Sequence, residues 1–272
     1  MTTMRPYPEP VDGLIADIDG PVLRLRLDRP DRRNALTDDI VLALIDHIEV
    51  AGSDDAVRVI HLCGAGDHFC SGFDLSLRGD TDETPRLGST QRQMRWHVGR
   101  LIPSMLETQT PIVTSVKGWA IGLGMNIALA SDFVIAADDA RFWAPFTGAG
   151  FTPDSGGSWM VPRLVGVARA KEMIMLGRQI DGATAAEWGL VHRAVPDAEV
   201  DAASGELIAE LARAATVAVG LAKLLIHRSL TIDLERHLAD EGFAMELSSR
   251  SDDFKEAARA RRDKRPPDLQ GR

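Results

Sequence analysis

Two apolar segments of this chain are each followed directly by a glycine-rich turn, and this repeated arrangement restricts the possible folds most strongly. Residues 57–63 lead into a turn at 64–72, and residues 111–117 lead into a turn at 118–124. An apolar segment of helical character follows the second turn. Because strands, turns and helices alternate in this way, the sequence predicts an α/β fold.

The N-terminal part adds a predicted hairpin and a predicted helix. Leucines alternate with charged residues over 23–28, a period-2 pattern typical of a half-exposed strand, and Asp19 and Gly20 just before it predict a hairpin turn. Thr37 precedes two acids and an apolar series at helical spacing, which ends at Gly52. A capping residue, acids at the positive end and a glycine stop predict a helix between these two residues.

The remainder is interpreted as one main body with a helical tail. Residues 78–89 are rich in Gly, Thr, Asp, Glu and Pro, which predicts a mobile surface loop. From about Val167 onward the pattern is mainly helical, through 232–249 to a tail helix at 254–265. Residues 255–272 carry seven positive and three negative charges, a basic end on an acidic protein.

Composition excludes several classes of protein. The 272 residues are 44% hydrophobic and 26% charged, as expected for a globular protein. The formal net charge of −9 argues against nucleic acid as the main partner, and no apolar run is long enough to predict a membrane span or a signal peptide. Two cysteines, Cys63 and Cys70, favour a reducing compartment, so we expect a cytoplasmic protein. No spacing of His, Cys, Asp or Glu predicts a metal site.

The two glycine-rich turns also suggest a kind of site. A dinucleotide fingerprint is weak here, because Phe69 stands where its third glycine is required. Taken together, the turns could direct two backbone N–H groups at one oxygen atom. Such a pair stabilises the oxyanion of an enolate or of a tetrahedral intermediate.

Ordered motifs along most of the chain extend this interpretation. They are Arg29-Pro30, Asn34-Ala35-Leu36, Gly64-x-Gly66-x-x-Phe69-Cys70-Ser71-Gly72-x-Asp74-Leu75, Gly118-x-Ala120-x-Gly122-x-Gly124, Ser131-Asp132, Pro153-Asp154-Ser155-Gly156-Gly157, Pro162-Arg163-Leu164-Val165-Gly166 and Ala186-x-x-Gly189-Leu190-Val191. In this order they resemble the crotonase, or enoyl-CoA hydratase/isomerase, superfamily.

The resemblance implies a fold, an assembly and a substrate. It implies a crotonase-like spiral of ββα units over residues 1–200, followed at 201–272 by a C-terminal helical region for oligomerisation and coverage of coenzyme A. Relatives of this kind usually assemble as homotrimers or homohexamers. Their substrates are acyl-CoA thioesters, so coenzyme A belongs to the substrate and no separate cofactor is expected.

The resemblance also implies the residues of the site. The oxyanion donors would be the backbone N–H groups of Ser71 and Leu123. Lys264, in the basic tail, would meet the adenosine phosphates. The substrate would further contact Arg33, Ala35, Gly72, Phe73, Asp74, Leu75 and Gly122, with an apolar lining from Trp143, Phe146 and Phe151.

The acid and base positions depart from the hydratase pattern. Where hydratases of the superfamily carry two glutamates, this chain has Asn126 and Phe146, neither of which can move a proton. Asp154 matches the aspartate of family isomerases, which lies in the same Pro-Asp-x-Gly-Gly setting. We therefore expect isomerisation of an unsaturated or epoxidised acyl-CoA, with Asp154 as the base.

Several alternatives stay open at this stage. Asp154 could cap a helix that begins near Ser155. It could attack an aromatic ring as in the hydrolytic dehalogenases of the superfamily, for which Trp96 and His97 offer a loose match. Enoyl-CoA hydration without the glutamate pair, and binding of acyl-CoA without turnover, are the remaining candidates.

Overall fold

The computed structural model describes residues 5–77 and 86–272, so most of the loop predicted at 78–89 lies outside the described residues. The strands are β1 Leu14–Asp19, β2 Val22–Leu27, β3 Val59–Gly64, β4 Ile112–Val116, β5 Trp119–Ile121, β6 Phe133–Ala137, β7 Arg141–Trp143, β8 Ile180–Asp181 and β9 Arg193–Val195. One sheet has the order β1-β2-β3-β4-β6-β9, and a smaller sheet has the order β5-β7-β8. In the larger sheet only the β1–β2 pair is antiparallel.

Helices cover the sheets and form the C-terminal part of the chain. They are α1 Asp38–Ala51, α2 Ser89–Trp96, α3 Val98–Glu107, α4 Leu123–Leu129, α5 Gly157–Ile174, α6 Gly182–Glu187, α7 Val200–Ala212, α8 Thr216–Ser229, α9 Leu234–Ser248 and α10 Asp252–Asp263. The α/β fold class predicted from the sequence is therefore confirmed. Within the described residues, no helix is long and apolar enough to span a membrane.

The predicted hairpin and first helix are both present. Strands β1 and β2 pair around the turn that contains Gly20, and Thr37 caps α1 by accepting a hydrogen bond from the Ile40 N–H at 3.2 Å. Gly52 ends α1 in a right-handed conformation, so it does not act as a left-handed stop. A Cβ there would lie 2.7 Å from Thr108 Oγ1, so a larger residue would have to displace the Thr108 hydroxyl.

Parallel pairing of β3 with β4 brings the two glycine-rich turns to one edge of the sheet. The turns are then joined directly to each other. The Cys70 N–H donates to Trp119 O at 2.8 Å, and the Ile121 N–H donates to Cys70 O at 2.9 Å. Only a glycine fits at position 124, because a Cβ there would lie 2.6 Å from Cys70 O. Two segments about fifty residues apart in sequence are thus joined by main-chain hydrogen bonds into one structural unit.

The second half of the chain is less uniformly helical than predicted. Two short strands, β8 and β9, interrupt the helical pattern after Val167, and β9 completes the large sheet beside β6. Helix α7 begins at the predicted boundary of 200 but still packs against β3, β4 and β6. Helix α8 is fixed to the core by Lys223, whose Nζ donates to Asp132 Oδ2 at 2.7 Å. The predicted helices at 232–249 and 254–265 correspond to α9 and α10.

Candidate active site

A cavity of about 260 Å³ opens where the two glycine-rich turns meet α1, α2, α3 and the segment at 145–155. Nine residues predicted for the site line it: Ser71, Gly72, Phe73, Leu75, Gly122, Leu123, Phe146, Phe151 and Asp154. The lining is largely apolar, with a few polar groups directed at one space, which is the usual character of a small-molecule site.

Leu123 supplies a backbone donor at this cavity. It is the first residue of α4, so its N–H has no acceptor within the helix, and it donates no hydrogen bond to any described residue. The preceding turn is held in place because the Gly122 N–H donates to Trp143 O at 2.9 Å. The positive end of the helix dipole also favours negative charge at this point. The Leu123 N–H is therefore suited to an oxyanion.

The amide of Ser71 is committed elsewhere, which corrects its predicted role as the second donor. The Ser71 N–H donates to Arg33 O at 2.9 Å, and the Ser71 hydroxyl donates to Arg32 O at 3.1 Å. Binding a thioester oxygen at this amide would require breaking a main-chain hydrogen bond. Arg33 accordingly contributes its carbonyl to the framework, and it does not line the cavity.

Phe73, two residues after Ser71, has a backbone N–H with a different orientation. The bridge between Leu36 and Phe73 uses the Gly72 carbonyl, which accepts from the Leu36 N–H, and the Asp74 N–H, which donates to Leu36 O, both at 2.8 Å. In such a bridge the N–H of Phe73 itself points away from Leu36. A Cβ built on Gly72 would lie 3.6 Å from Leu123 N, so the two segments are adjacent.

Asp154 lies at the cavity and does not cap a helix. Helix α5 begins at Gly157 with Gly156 as its N-cap residue, and no side chain caps it. The Asp154 carboxylate instead accepts a hydrogen bond from the Ser155 hydroxyl. Ser155 is buried and adopts a left-handed φ of 52°, a strained conformation of the kind often found at functional sites. The helix-cap alternative is therefore wrong.

Asp74 and Ala35 lie behind the first turn and outside the cavity lining. The Arg29 guanidinium donates to Asp74 Oδ2 at 3.0 Å and to Ala35 O at 2.6 Å. Hydrogen bonds from Ser76 and Arg29 hold the pKa of Asp74 below its ordinary value. Both predicted substrate contacts thus shape the turn that carries Gly72 and Phe73.

Two further predicted contacts are absent from the cavity lining. Trp143 lies behind the second turn, where its Nε1–H donates to Gly177 O at 2.9 Å. Lys264 ends α10 and also lies outside the lining. The chain end beyond it folds back so that Leu269 O accepts from Arg58 Nη1 at 3.1 Å. Arg58 immediately precedes β3, whereas the cavity lies beyond the carboxyl end of that strand.

The sequence did not identify one wall of the cavity. Helices α1 to α3 contribute Val41, Met94 and Val98, together with Asp38 and His97, whose Oδ1 and Nδ1 are 3.4 Å apart. The apolar members follow the ordinary core pattern of amphipathic helices, so no local signal separates them from core residues. His97 lines the cavity, whereas the adjacent Trp96 is exposed and does not.

Other reactive side chains lack the features of a site. Burial raises the pKa of the Cys70 thiol to about 12, which makes it unreactive as a nucleophile. Cys63 is also a free thiol, and burial raises its pKa to about 11. In the part of the chain that the structure describes, no three metal-ligating side chains converge.

The fold and cavity together define a class of protein, one that can hold a polarised carbonyl oxygen at a helix N-terminus beside a carboxylate. Comparison with known proteins narrows the class. A family model described as enoyl-CoA hydratase/isomerase matches residues 17–272. The chain therefore belongs to the enoyl-CoA hydratase/isomerase family, whose fold is the crotonase fold.

Individual relatives differ in the activity that their names state. A 1,2-epoxyphenylacetyl-CoA isomerase of Escherichia coli is 33% identical over 264 residues, covering 96% of this chain and 100% of that protein. A 2,3-dehydroadipyl-CoA hydratase of the same organism is 31% identical over 251 residues, covering 92% and 96%. A crystal structure of an enoyl-CoA hydratase from Polaromonas sp. JS666 superposes with a TM-score of 0.87 at 29% identity, covering 94% and 99%.

Proposed function

We propose that this protein isomerises an unsaturated or epoxidised acyl-CoA through a thioester enolate, with Asp154 as the base. The observation that carries the proposal is that the Asp154 side chain and the first residue of α4, Leu123, line the same cavity. Coenzyme A is part of the substrate, and no separate cofactor takes part. Two unpaired cysteines also fit a reducing, cytoplasmic setting.

The proposed reaction moves one proton between two carbons. The thioester oxygen accepts from the Leu123 N–H and from an amide of the first turn, for which the orientation of Phe73 favours its N–H over that of Ser71. These donors stabilise the enolate that forms when Asp154 removes a proton next to the carbonyl. Return of the proton at another carbon completes a double-bond shift. With an epoxide, the enolate electron pair forms the new C=C bond and breaks the C–O bond next to the α carbon, and Asp154 returns its proton to the resulting alkoxide oxygen.

The residues at the hydratase positions support isomerisation over hydration. Phe146 is 6% exposed and packs edge-to-face on Phe151, with ring centroids 5.8 Å apart. An apolar ring at this position can neither hold nor deprotonate water. The aromatic pair also suits an apolar acyl group. The relative named 1,2-epoxyphenylacetyl-CoA isomerase supports the same choice.

Proton exchange with solvent tests the proposal directly. We expect the protein to exchange α protons of a saturated acyl-CoA in D₂O, followed by NMR, and to isomerise 3-enoyl thioesters faster than it hydrates 2-enoyl thioesters. Asp154→Asn should reduce exchange about 100- to 10,000-fold, the usual contribution of a general base, without weakening thioester binding. Asp139→Asn, at an exposed carboxylate, is the matched control.

The outcome separates the alternatives. Binding without exchange or turnover by the wild-type protein would favour a non-catalytic acyl-CoA binder. Rapid hydration that persists in Asp154→Asn would favour a hydratase. Either result would refute the proposed isomerase.

A hydrolytic dehalogenase is the second candidate, because His97 lines the same cavity as Asp154. In that reaction the Asp154 carboxylate would displace halide from an aromatic ring and form an aryl ester, and His97 would activate the water that cleaves it. Repeated release of halide from a haloaryl-CoA, limited in His97→Gln to one equivalent per site because the aryl ester is no longer hydrolysed, would support this candidate. No halide release would exclude it.

We also propose that the chain assembles as a homotrimer or homohexamer through its C-terminal helices. None of the residues of α9 is buried. Its large apolar side chains are among the most exposed, with Leu234 at 71%, Leu238 at 54% and Phe243 at 73%. Large apolar side chains exposed together mark an interaction surface. Light scattering should therefore give three or six times the mass of one chain.

A further inference from the structure

The buried amide of Asn126 connects the two halves of the candidate site. Asn126 lies one turn into α4, and its own N–H donates to Gly122 O at 3.0 Å, so it belongs to the turn that begins with Leu123. Its side chain reaches the opposite segment, where Nδ2 donates to the main-chain carbonyl of Asp154 at 3.2 Å. The Asn126 side chain therefore connects α4 to Asp154.

The surroundings of Asn126 leave little freedom for another side chain. Asn126 is 0% exposed, and a Cβ built on Gly157 would lie 2.7 Å from its Oδ1 and 3.0 Å from its Nδ2. Any side chain at position 157 would therefore have to displace the Asn126 amide. A longer side chain at 126 would push this segment, and Asp154 with it, away from α4.

The amide also keeps one polar atom unpaired. Asn126 Oδ1 is buried and accepts no hydrogen bond within residues 5–77 and 86–272. A buried acceptor without a partner destabilises a fold, and an apolar side chain of similar size would avoid that cost. Departures of this kind are expected at functional sites, where another requirement outweighs stability.

A carboxylate could not replace this amide while ionised. The partner is the carbonyl oxygen of Asp154, an acceptor, so position 126 must donate. An ionised acid there would offer only acceptor atoms and would repel both this carbonyl and the Asp154 carboxylate. The amide is thus matched to a site that uses a single acid.

We infer that Asn126 is a positioning residue that sets the distance between the Leu123 N–H and the Asp154 carboxylate. This inference rests on the proposed function for its catalytic consequence, but the connection itself can be tested without it. Asn126 does not line the cavity, so it acts through Asp154 and does not touch the substrate. A displacement of about 1 Å at a reacting group can lower a rate about 100-fold.

The test measures turnover, binding and local mobility in Asn126→Ala. We expect α-proton exchange at saturating acyl-CoA to fall about 10- to 100-fold, while the thioester dissociation constant changes less than threefold. Backbone amide hydrogen exchange should accelerate over 153–157 and stay unchanged over 64–77. Ser131→Ala, which removes a hydroxyl bonded to Thr114 at 2.6 Å beyond the end of α4, is the control and should leave all three quantities unchanged.

Asn126→Asp gives a sharper readout at nearly constant volume. The new carboxyl donates only while protonated, so exchange by this variant should fall as pH rises through a range in which the wild-type rate does not fall. The conservative variant should thereby recover activity at the lower end of that range. A merely structural role would not produce this additional ionisation.

Four results would decide against the inference. It is wrong if Asn126→Ala exchanges α protons within threefold of wild type, if substrate binding weakens in proportion to turnover, or if the amides of 153–157 are unaffected. If neither variant folds, Asn126 serves core stability and the positioning role is overturned. If the wild-type protein shows no α-proton exchange but 153–157 is mobilised in the variant, the proposed function fails while the connection stands.

Discussion

Helices α4 and α9 illustrate two different ways in which this chain uses apolar helices. Every residue of α4 is buried, whereas no residue of α9 is. Helix α4 packs against β5 and α5, and its N-terminus faces the cavity. Helix α9 contacts mainly α8 and presents large apolar side chains to the outside.

The two helices differ in whether the chain itself supplies their packing partners. Hydrogen bonds within a single chain join the two glycine-rich turns, α4 and Asp154. The candidate site therefore needs no partner chain to hold its backbone donors in place. The apolar surface of α9 has no cover within the described residues. We therefore expect substitutions in the first region to affect chemistry and substitutions in the second to affect assembly.

Among the substitutions that compare these two regions, the largest effect is expected at Gly72. Gly72→Ala forces a side chain into a φ of 90° and places its Cβ 2.8 Å from Ile121 O. The turns must move apart, so a carbonyl oxygen can no longer meet both donors, and we expect kcat to fall about 100- to 1000-fold. Gly20→Ala is the control, because it shares a positive φ of 55° but has open space around it. Equal activity in the two variants would contradict the paired-donor arrangement.

A pH-dependent loss of stability should originate in the sheet below the site. Burial, together with Arg24, lowers the pKa of His61 to about 4 from 6.5. The native state thus favours the neutral ring of His61. The stabilisation that the neutral ring gives to the folded state is complete above pH 6.5 and declines as the pH falls toward 4. At about 1.4 kcal/mol per pKa unit the loss approaches about 3 kcal/mol.

Urea unfolding at several pH values measures this loss. His61→Gln should remove most of the pH dependence between 6.5 and 4. His61 Nε2 lies 2.8 Å from Ser115 Oγ, so the variant is also expected to be somewhat less stable at neutral pH. If the free energy of unfolding of the variant changes with pH as steeply as that of the wild type, other groups cause the loss of stability in acid.

The exposed surface of α9 should respond through assembly. Phe243→Asp places a charge on the 73% exposed ring position, and loss of the buried ring from an interface is expected to cost about 1.5–3 kcal/mol per chain. Light scattering should show smaller species at low protein concentration, with the fold retained by circular dichroism. Gly20→Asp adds the same charge in the hairpin turn and should leave the mass unchanged. A single-chain mass for the wild-type protein would refute the proposed assembly.

The smallest effect comes from a matched pair of helix caps. Thr37 Oγ1 accepts from the Ile40 N–H at 3.2 Å, and Ser251 Oγ accepts from the Phe254 N–H at 3.0 Å. Each substitution by alanine should cost about 1 kcal/mol. Thr37→Ala should lower the global free energy of unfolding, whereas Ser251→Ala should chiefly accelerate hydrogen exchange in α10. If both variants lower the global free energy of unfolding by the same amount, the N-terminal region and α10 unfold as one unit.

Local sequence patterns predicted those parts of the protein that depend on neighbouring residues. The alternating leucines of β2, the cap of α1 at Thr37 and the two strand-turn units are all present, because side-chain periodicity and turn chemistry act over short distances. Asp154 was found because its motif is short and continuous. Patterning did not predict β8 and β9, which are too brief to show a period.

The amino-acid sequence alone was enough to predict the α/β class and the glycine-rich turns, and it shows that glutamate is absent from positions 126 and 146. The choice between the amides of the first turn required the folded chain, because the Ser71 N–H donates to Arg33 O in a distant segment. The tertiary structure likewise decided that Trp143 lies behind the second turn and that Asn126 binds the Asp154 carbonyl. Hydrogen-bond partners between remote segments depend on how strands and turns meet in space, and no local pattern records that.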